Sequence, residues 1–149
     1  MSSVDERLEF IESLIRDDVA LPEKAGLRRK DIDAVAYLGR VAFESGRFDQ
    51  AVGIFAALEA LEPHRAQVLL FRAEAEIAAG RMLEARKTVS RFLDREHVRP
   101  LGDYVRGLLL HARLRSDGDQ EGATRDIGLA RAVAGIDEEA RKVLAEVGL

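Results

Sequence analysis

The sequence contains no cysteine, no tryptophan and only three prolines among its 149 residues. Without cysteine, neither a disulfide framework nor a zinc-thiolate site can form, so the fold has to rest on packing alone. No stretch approaches the roughly 18 apolar residues of a membrane-spanning helix, and the first residues lack the basic start and apolar run of a secretory signal. We therefore expect a cytoplasmic protein.

Aromatic residues are also scarce, at 5%, and positive charge is not in excess, since the formal net charge is −4. This charge gives no electrostatic reason to expect a polyanionic partner, so nucleic acid is not an expected ligand. Hydrophobic residues make up 47% of the chain and charged residues 34%, which is typical of a globular protein. The length fits a single domain.

Residue patterns typical of catalysis are missing. The histidines His64, His97 and His111 have no partner at the spacing of metal ligands, and the sequence has no glycine-rich phosphate loop. The acidic run from Asp117 to Glu121 lacks the spaced oxygen ligands of a calcium loop. We therefore expect no enzymatic activity, no cofactor and no metal.

An amphipathic helix is predicted at the start of the chain, over about residues 3–16, where Ser3 to Glu6 form a capping-box pattern. Its apolar face consists of Val4, Leu8, Ile11 and Ile15. An irregular tether is expected from Asp17 to Lys30. Because a lone helix of this length is marginal unless it packs on something, we expect these four residues to form the interface of a homodimer.

The strongest feature of the sequence is an internal repeat of 34 residues, a period typical of helical hairpin repeats. Small, turn and core residues recur at this spacing: Gly39, Gly46, Arg47, Ala51, Phe55 and Leu58 are followed by Ala73, Gly80, Arg81, Ala85, Val89 and Phe92. In each copy a small residue lets two helices approach and a glycine permits the turn. Hairpins are predicted over about 32–65, 66–99 and 100–135.

The third copy begins on schedule at Gly107, but its turn glycine, Gly118, comes four residues late. The register resumes at Ala123, so that a longer first helix or a longer turn is expected. A last helix over about 136–149 is predicted to cover the open end of the array. Its apolar residues are Ala140, Val143, Leu144 and Val147.

The segment from Ala34 to Pro63 resembles the tetratricopeptide-repeat (TPR) consensus, with Leu38, Gly39, Ala42, Gly46, Ala51, Phe55 and Pro63 at the expected positions. The resemblance implies an all-α fold of three TPR-like helical hairpins in a short right-handed superhelix, between an N-terminal amphipathic helix and a C-terminal capping helix. The implied division is 1–30 for the N-terminal helix and tether and 31–149 for the TPR domain. TPR arrays bind many unrelated proteins, so the fold alone says little about the partner.

A narrower resemblance is to the class II chaperones of bacterial type III secretion systems. An N-terminal helix, a tether, three hairpins and a cap in an acidic chain of this length are similar to these small cytoplasmic dimers, which hold translocator proteins before export. The run from Gly46 to Ala51, followed by Phe55 and Leu58, is similar to their first repeat. The resemblance implies a chaperone, and a general TPR scaffold or adaptor that joins folded proteins is the alternative.

The TPR resemblance also implies a peptide-binding groove, because the first helices of TPR hairpins line a concave face that holds extended peptides. On this pattern the groove consists of Ala36, Arg40, Phe43, Leu70, Glu74, Ile77, Tyr104, Leu108 and His111. Most of these residues are apolar, so we expect a preference for extended segments with spaced apolar anchors. Core packing between hairpins is an equally good interpretation of Phe43, Ile77 and Leu108.

Overall fold

The computed structural model describes residues 28–95, 98 and 100–149. In this part of the chain the regular structure is entirely helical, which confirms the predicted all-α class. The helices are α1 (Arg29–Glu44), α2 (Phe48–Leu61), α3 (Gln67–Ala78), α4 (Met82–Leu93), α5 (Leu101–Arg115), α6 (Gln120–Ala134) and α7 (Glu138–Glu146). The predicted N-terminal helix, including Val4, Leu8, Ile11 and Ile15, lies outside the described residues, as does most of the predicted tether. Arg29 and Lys30, which were expected in the tether, are the first residues of α1.

The chain divides into two compact units, with the boundary between Ala79 and Gly80. Helices α1 to α3 belong to the first unit and α4 to α7 to the second. The boundary therefore falls inside the predicted 66–99 repeat. The division into 1–30 and 31–149, with its three repeats and cap, stays a prediction.

The residues that follow α1 and α3 have the same backbone conformation. Gly46 and Gly80 each have a φ of 78°, in the left-handed region that glycine adopts without the steric cost of a β-carbon. The next residues, Arg47 and Arg81, have φ and ψ of −89° and 67° and of −91° and 65°. The 34-residue repeat of the sequence is thus a repeat of local conformation.

The third turn is built differently. Helix α5 has 15 residues, against 16 in α1 and 12 in α3, so it is longer than only one of its counterparts. Gly118 does not have a positive φ, in contrast to its expected role as the equivalent turn glycine. Here the amides of Gly118 and Asp119 both donate to the carbonyl of Arg115, at 3.1 and 2.6 Å. The Asp119 carboxylate then caps α6 by accepting from the Gly122 amide at 2.9 Å.

The first unit is built around α2, which packs against both α1 and α3. Its core is a cluster of aliphatic and small residues with one aromatic ring: Ile32, Val35, Ala42, Ala51, Val52, Ile54, Phe55, Leu58, Leu61, Val68 and Ala75. At the α1–α2 crossing, a β-carbon on Gly39 would lie 2.5 Å from Cε1 of Phe55. The glycine therefore sets how closely α1 approaches the Phe55 ring.

The second unit is built around α5, which packs against α4, α6 and α7. Its core consists of Val105, Leu108, Ala130, Ala134, Ala140, Val143 and Leu144. Helix α7 covers Gly102 of α5, since a β-carbon there would lie 3.4 Å from Val143. Val147 was expected on the covering face of this helix but is 57% exposed, because α7 ends at Glu146.

Candidate functional site

A cleft of about 390 Å³ opens in the first unit. It is lined by residues of α1, α2 and α3 and of the α2–α3 connection: Ala36, Arg40, Phe43, Phe55, Arg65, Gln67, Phe71 and Glu74. Phe55 is only 5% exposed and belongs at the same time to the core of the unit. A volume of this size suits a small number of side chains of a bound molecule.

The two outer helices present residues to the cleft at the same spacing. Ala36, Arg40 and Phe43 lie on one face of α1 at intervals of four and three residues. Gln67, Phe71 and Glu74 repeat these intervals on α3. Each helix therefore contributes a stripe that combines an aromatic ring with polar side chains.

Aromatic contacts hold the apolar walls of the cleft in place. The rings of Phe55 and Phe71 have their centroids 5.7 Å apart, with their planes inclined at 39°. Phe43 makes an edge-to-face contact with Phe48, with centroids 5.5 Å apart. Pairs of this geometry stabilise ring orientation beyond simple burial, so the apolar surface is organised before anything binds.

The charged residues of the cleft differ in their partners. Arg65 donates to Glu62 at 3.1 Å and to Gln67 at 3.3 Å, and Glu62 is also paired with Arg29. Glu74 interacts with another group of the protein. Arg40 is exposed and has no hydrogen-bond or ion-pair partner in the part of the chain that the structure describes.

The structure brings four of the sequence-predicted groove residues together in this cleft: Ala36, Arg40, Phe43 and Glu74. Two others in the first unit, Leu70 and Ile77, are 3% and 9% exposed and face the interior. The binding role of these residues stays a prediction.

The remaining predicted groove residues lie in the second unit. Leu108 is 3% exposed and part of its core, and Tyr104 packs against that core while partly exposed. His111 belongs to a polar network. A charge at Leu108 is therefore expected to unfold the unit, so that half-buried Phe43 is the better position for testing a binding surface.

Sequence reasoning missed Phe55, Arg65, Gln67 and Phe71. The 34-residue repeat made Leu70, Glu74 and Ile77 the equivalents of Ala36, Arg40 and Phe43, but of these three equivalents only Glu74 lines the cleft. The repeat equivalent of Ala36 is thus Leu70, while the residue that shares the cleft with Ala36 is Gln67. The spacing of Gln67, Phe71 and Glu74 was the available signal.

The polar network of the second unit joins α5 to α6. Nδ1 of His111 lies 2.9 Å from Oδ2 of Asp126, so it carries the proton and donates to the carboxylate. Nη1 of Arg115 donates to the same oxygen at 3.2 Å, and Nη2 donates to Asp119 at 2.8 Å. A β-carbon on Gly122 would collide with the Arg115 guanidinium. The glycine therefore makes room for this network.

Burial and the neighbouring Asp126 shift the pKa of His111 in opposite directions. Burial lowers the pKa of His111 from its ordinary value of 6.5, and although Asp126 opposes this shift, the net direction is downward. The hydrogen bond from the Gly122 amide, followed by that from Arg115, lowers the pKa of Asp119. The lowered pKa favours the neutral form of His111, whose hydrogen bond to Asp126 suits a structural tie between α5 and α6.

Metal clusters and membrane-spanning helices are absent from the described residues. No group of three or more His, Asp or Glu side chains there lies close enough to hold a metal ion. Among the same residues, no helix is both long and apolar enough to cross a membrane.

Comparison with known proteins identifies the repeats. Residues 42–109 match the family model of the tetratricopeptide repeat. No curated protein sequence matches the chain. Among solved structures, the crystal structure of PcrH in complex with the chaperone binding region of PopB is similar, with a TM-score of 0.69 and 25% identity, covering 83% of this chain and 96% of that chain. The repeated turns and the matching family model show that residues 42–109 carry tetratricopeptide repeats, and the fold of the chain is similar to that of PcrH.

Proposed function

We propose that this protein is a chaperone that holds an extended, apolar segment of a type III secretion translocator. The observation that carries the proposal is the cleft of the first unit, whose lining includes three phenylalanine rings, one each from α1, α2 and α3. PcrH, which shares the fold over 96% of its length, was crystallised with the chaperone binding region of PopB. A partner of the same kind, a segment of polypeptide, fits the cleft described above.

The dimensions of the cleft suit one anchoring side chain of a bound segment and not the surface of a folded protein. A cavity of about 390 Å³ takes up a small part of a peptide, and side chains on one face of an extended segment recur about 7 Å apart. One anchor therefore enters this cleft while its neighbours rest on other parts of the protein. Binding energy in such interfaces is concentrated in a few fully desolvated contacts.

The proposed role is that of a binding protein without catalytic activity. The repeats and the likeness to PcrH support protein binding. The resemblance to class II secretion chaperones supports two further proposals, a location in the cytoplasm and assembly as a homodimer through the N-terminal residues.

The test is to purify the tagged protein from its native cells and identify co-purifying proteins by mass spectrometry, for the wild type and for two variants. In Ala36→Leu a larger apolar side chain occupies the cleft, so the client should be lost while helix content, measured by circular dichroism, is retained. Ala60→Leu makes the same change at an exposed position of α2 that does not line the cleft. The control variant should keep the client.

The bound region of the client is then mapped with overlapping synthetic peptides. Binding of a short peptide, lost in Ala36→Leu, supports a chaperone for an extended segment. A partner that binds only as a folded protein, and that Ala36→Leu retains, would contradict the proposal and favour a scaffold or adaptor.

A further inference from the structure

We propose that the segment held in the first-unit cleft carries a carboxylate beside its apolar anchor, and that Arg40 determines this specificity. The inference rests on the proposed function, because it names the chemistry of the segment that the same cleft binds. Beside its aromatic rings, the cleft is lined by the charged residues Arg40, Arg65 and Glu74.

The cleft contains one cation whose charge no neighbour in the described residues balances. Of its charged residues, Arg65 is held by Glu62 and Gln67, and Glu74 has an interaction of its own. Arg40 has no such contact within residues 28–95, 98 and 100–149, and it follows Ala36 by one helical turn on the wall of the cleft. An incoming segment therefore meets a positive charge that no described residue balances, next to apolar surface.

A guanidinium in this position is suited to a carboxylate. Its planar set of donors matches the two oxygens of Asp or Glu, and such charge-assisted hydrogen bonds are stronger than neutral ones. When an apolar anchor fills the space between Phe43 and Phe71, it removes water from the side of Arg40 that faces the cleft. The loss of water strengthens attraction to a carboxylate and repulsion of a lysine.

Repulsion of a basic segment by Arg40 contributes to selectivity as much as attraction of an acidic segment does. A segment with lysine or arginine beside the anchor would place two cations together in a partly dry cleft, while an acidic segment would pair. Because Arg40 stays partly in water, the discrimination at this position is expected to be modest, roughly fivefold in affinity.

The experiment uses the full-length protein and libraries of short synthetic peptides. Each peptide has a central apolar position that varies among Leu, Ile, Val and Phe, and the libraries differ only in the next position, which is Asp, Asn or Lys. Peptides enriched on the immobilised wild type are identified by sequencing, and fluorescence anisotropy measures their dissociation constants. Arg40→Gln and Arg40→Glu are compared with Lys30→Glu, which makes the same charge change as Arg40→Glu at an exposed position of α1 outside the cleft.

The wild type and Lys30→Glu should bind the Asp peptides about fivefold more tightly than the Lys peptides. Arg40→Gln should remove this preference, and Arg40→Glu should reverse it. Enrichment of apolar peptides without an acidic preference, or an unchanged preference in Arg40→Glu, would overturn the inference and leave the proposed function standing. If the wild type enriches no peptide at all, the proposed function itself fails.

Discussion

Glycines within the helices of this protein fall into two kinds that the sequence does not distinguish. A β-carbon on Gly39 would lie 2.5 Å from the Phe55 ring, and one on Gly107 would lie closer still to the Phe92 ring. Both rings are buried, at 5% and 0% exposure, so neither can turn aside freely. Gly53, in the middle of α2, has no atom within 4 Å of a built β-carbon.

We expect opposite effects from the same substitution at two of these glycines. Gly39→Ala should lower the free energy of unfolding by about 1–3 kcal/mol, because it overpacks the contact with Phe55. Gly53→Ala should raise it by about 0.5–1 kcal/mol, because alanine has less conformational entropy to lose in a helix. Urea denaturation measures both values. Equal effects of the two changes would contradict the packing described for α1 and α2.

His111 is expected to make stability depend on pH. Because burial lowers its folded-state pKa below 6.5, the unfolded chain binds the proton more readily. This contribution to stability is therefore complete above pH 6.5 and is lost as the pH falls through the folded-state pKa. The groups that face His111 are Asp126 on α6, Arg115 on α5 and Arg86 on α4.

The measurement is thermal or urea unfolding as a function of pH, for the wild type and for His111→Asn. Asparagine retains a donor for Asp126 but does not titrate in this range. The wild type should lose stability on acidification below pH 6.5 more steeply than the variant. Parallel curves for the two proteins would show that His111 does not contribute to the pH dependence.

At the scale of elements, four of the helices start in two ways. The N-cap residues of α2 and α4 are Arg47 and Arg81, which follow the turn glycines directly and provide no side-chain cap. The N-cap residues of α6 and α7 are Asp119 and Asp137, whose carboxylates accept from the amides of Gly122 and Ala140, each at 2.9 Å. The repeat pattern thus governs the earlier turns, and capping carboxylates replace it towards the end of the chain.

Removal of the last cap should loosen α7. Asp137→Ala leaves the Ala140 amide without its acceptor and should reduce the free energy of unfolding by about 1 kcal/mol. Hydrogen exchange of the α7 amides should increase before that of α5. Asp137→Asn, which keeps a capping oxygen, serves as the control and should lie close to the wild type. Unchanged hydrogen exchange of the α7 amides in Asp137→Ala would show that the cap does not stabilise the helix.

At the scale of the whole molecule, the predicted assembly involves residues outside the described part of the chain. Val4, Leu8, Ile11 and Ile15 form the predicted apolar face, and the homodimer they imply stays a prediction. Sedimentation of the full-length chain at micromolar concentration should give a dimer, and Leu8→Asp with Ile11→Asp should give a monomer or an aggregate. Ser13→Asp, on the opposite face of such a helix, should leave the dimer intact. A monomeric wild type would contradict this prediction.

The sequence alone determined the features of this protein that depend on near neighbours in the chain. Its 34-residue period and its turn glycines Gly46 and Gly80 predicted helical hairpins, since a positive φ and a helix start are local properties. The apolar periodicity predicted which segments are helical, and the extra residues before Gly118 predicted either a longer first helix or a longer turn in the third hairpin. Turns and helix starts, which depend on neighbouring residues in the chain, could therefore be predicted from the sequence.

The tertiary structure alone decided which apolar residues are core and which line the cleft. Leu70 and Phe71 are neighbours and both hydrophobic, yet Leu70 is buried while Phe71 lines the cleft beside Phe55. Likewise, the pairing of His111 with Asp126 joins two helices at a spacing that no local motif encodes. The physical reason is that hydrophobicity drives burial without direction. The direction a side chain takes depends on how the helices pack against one another.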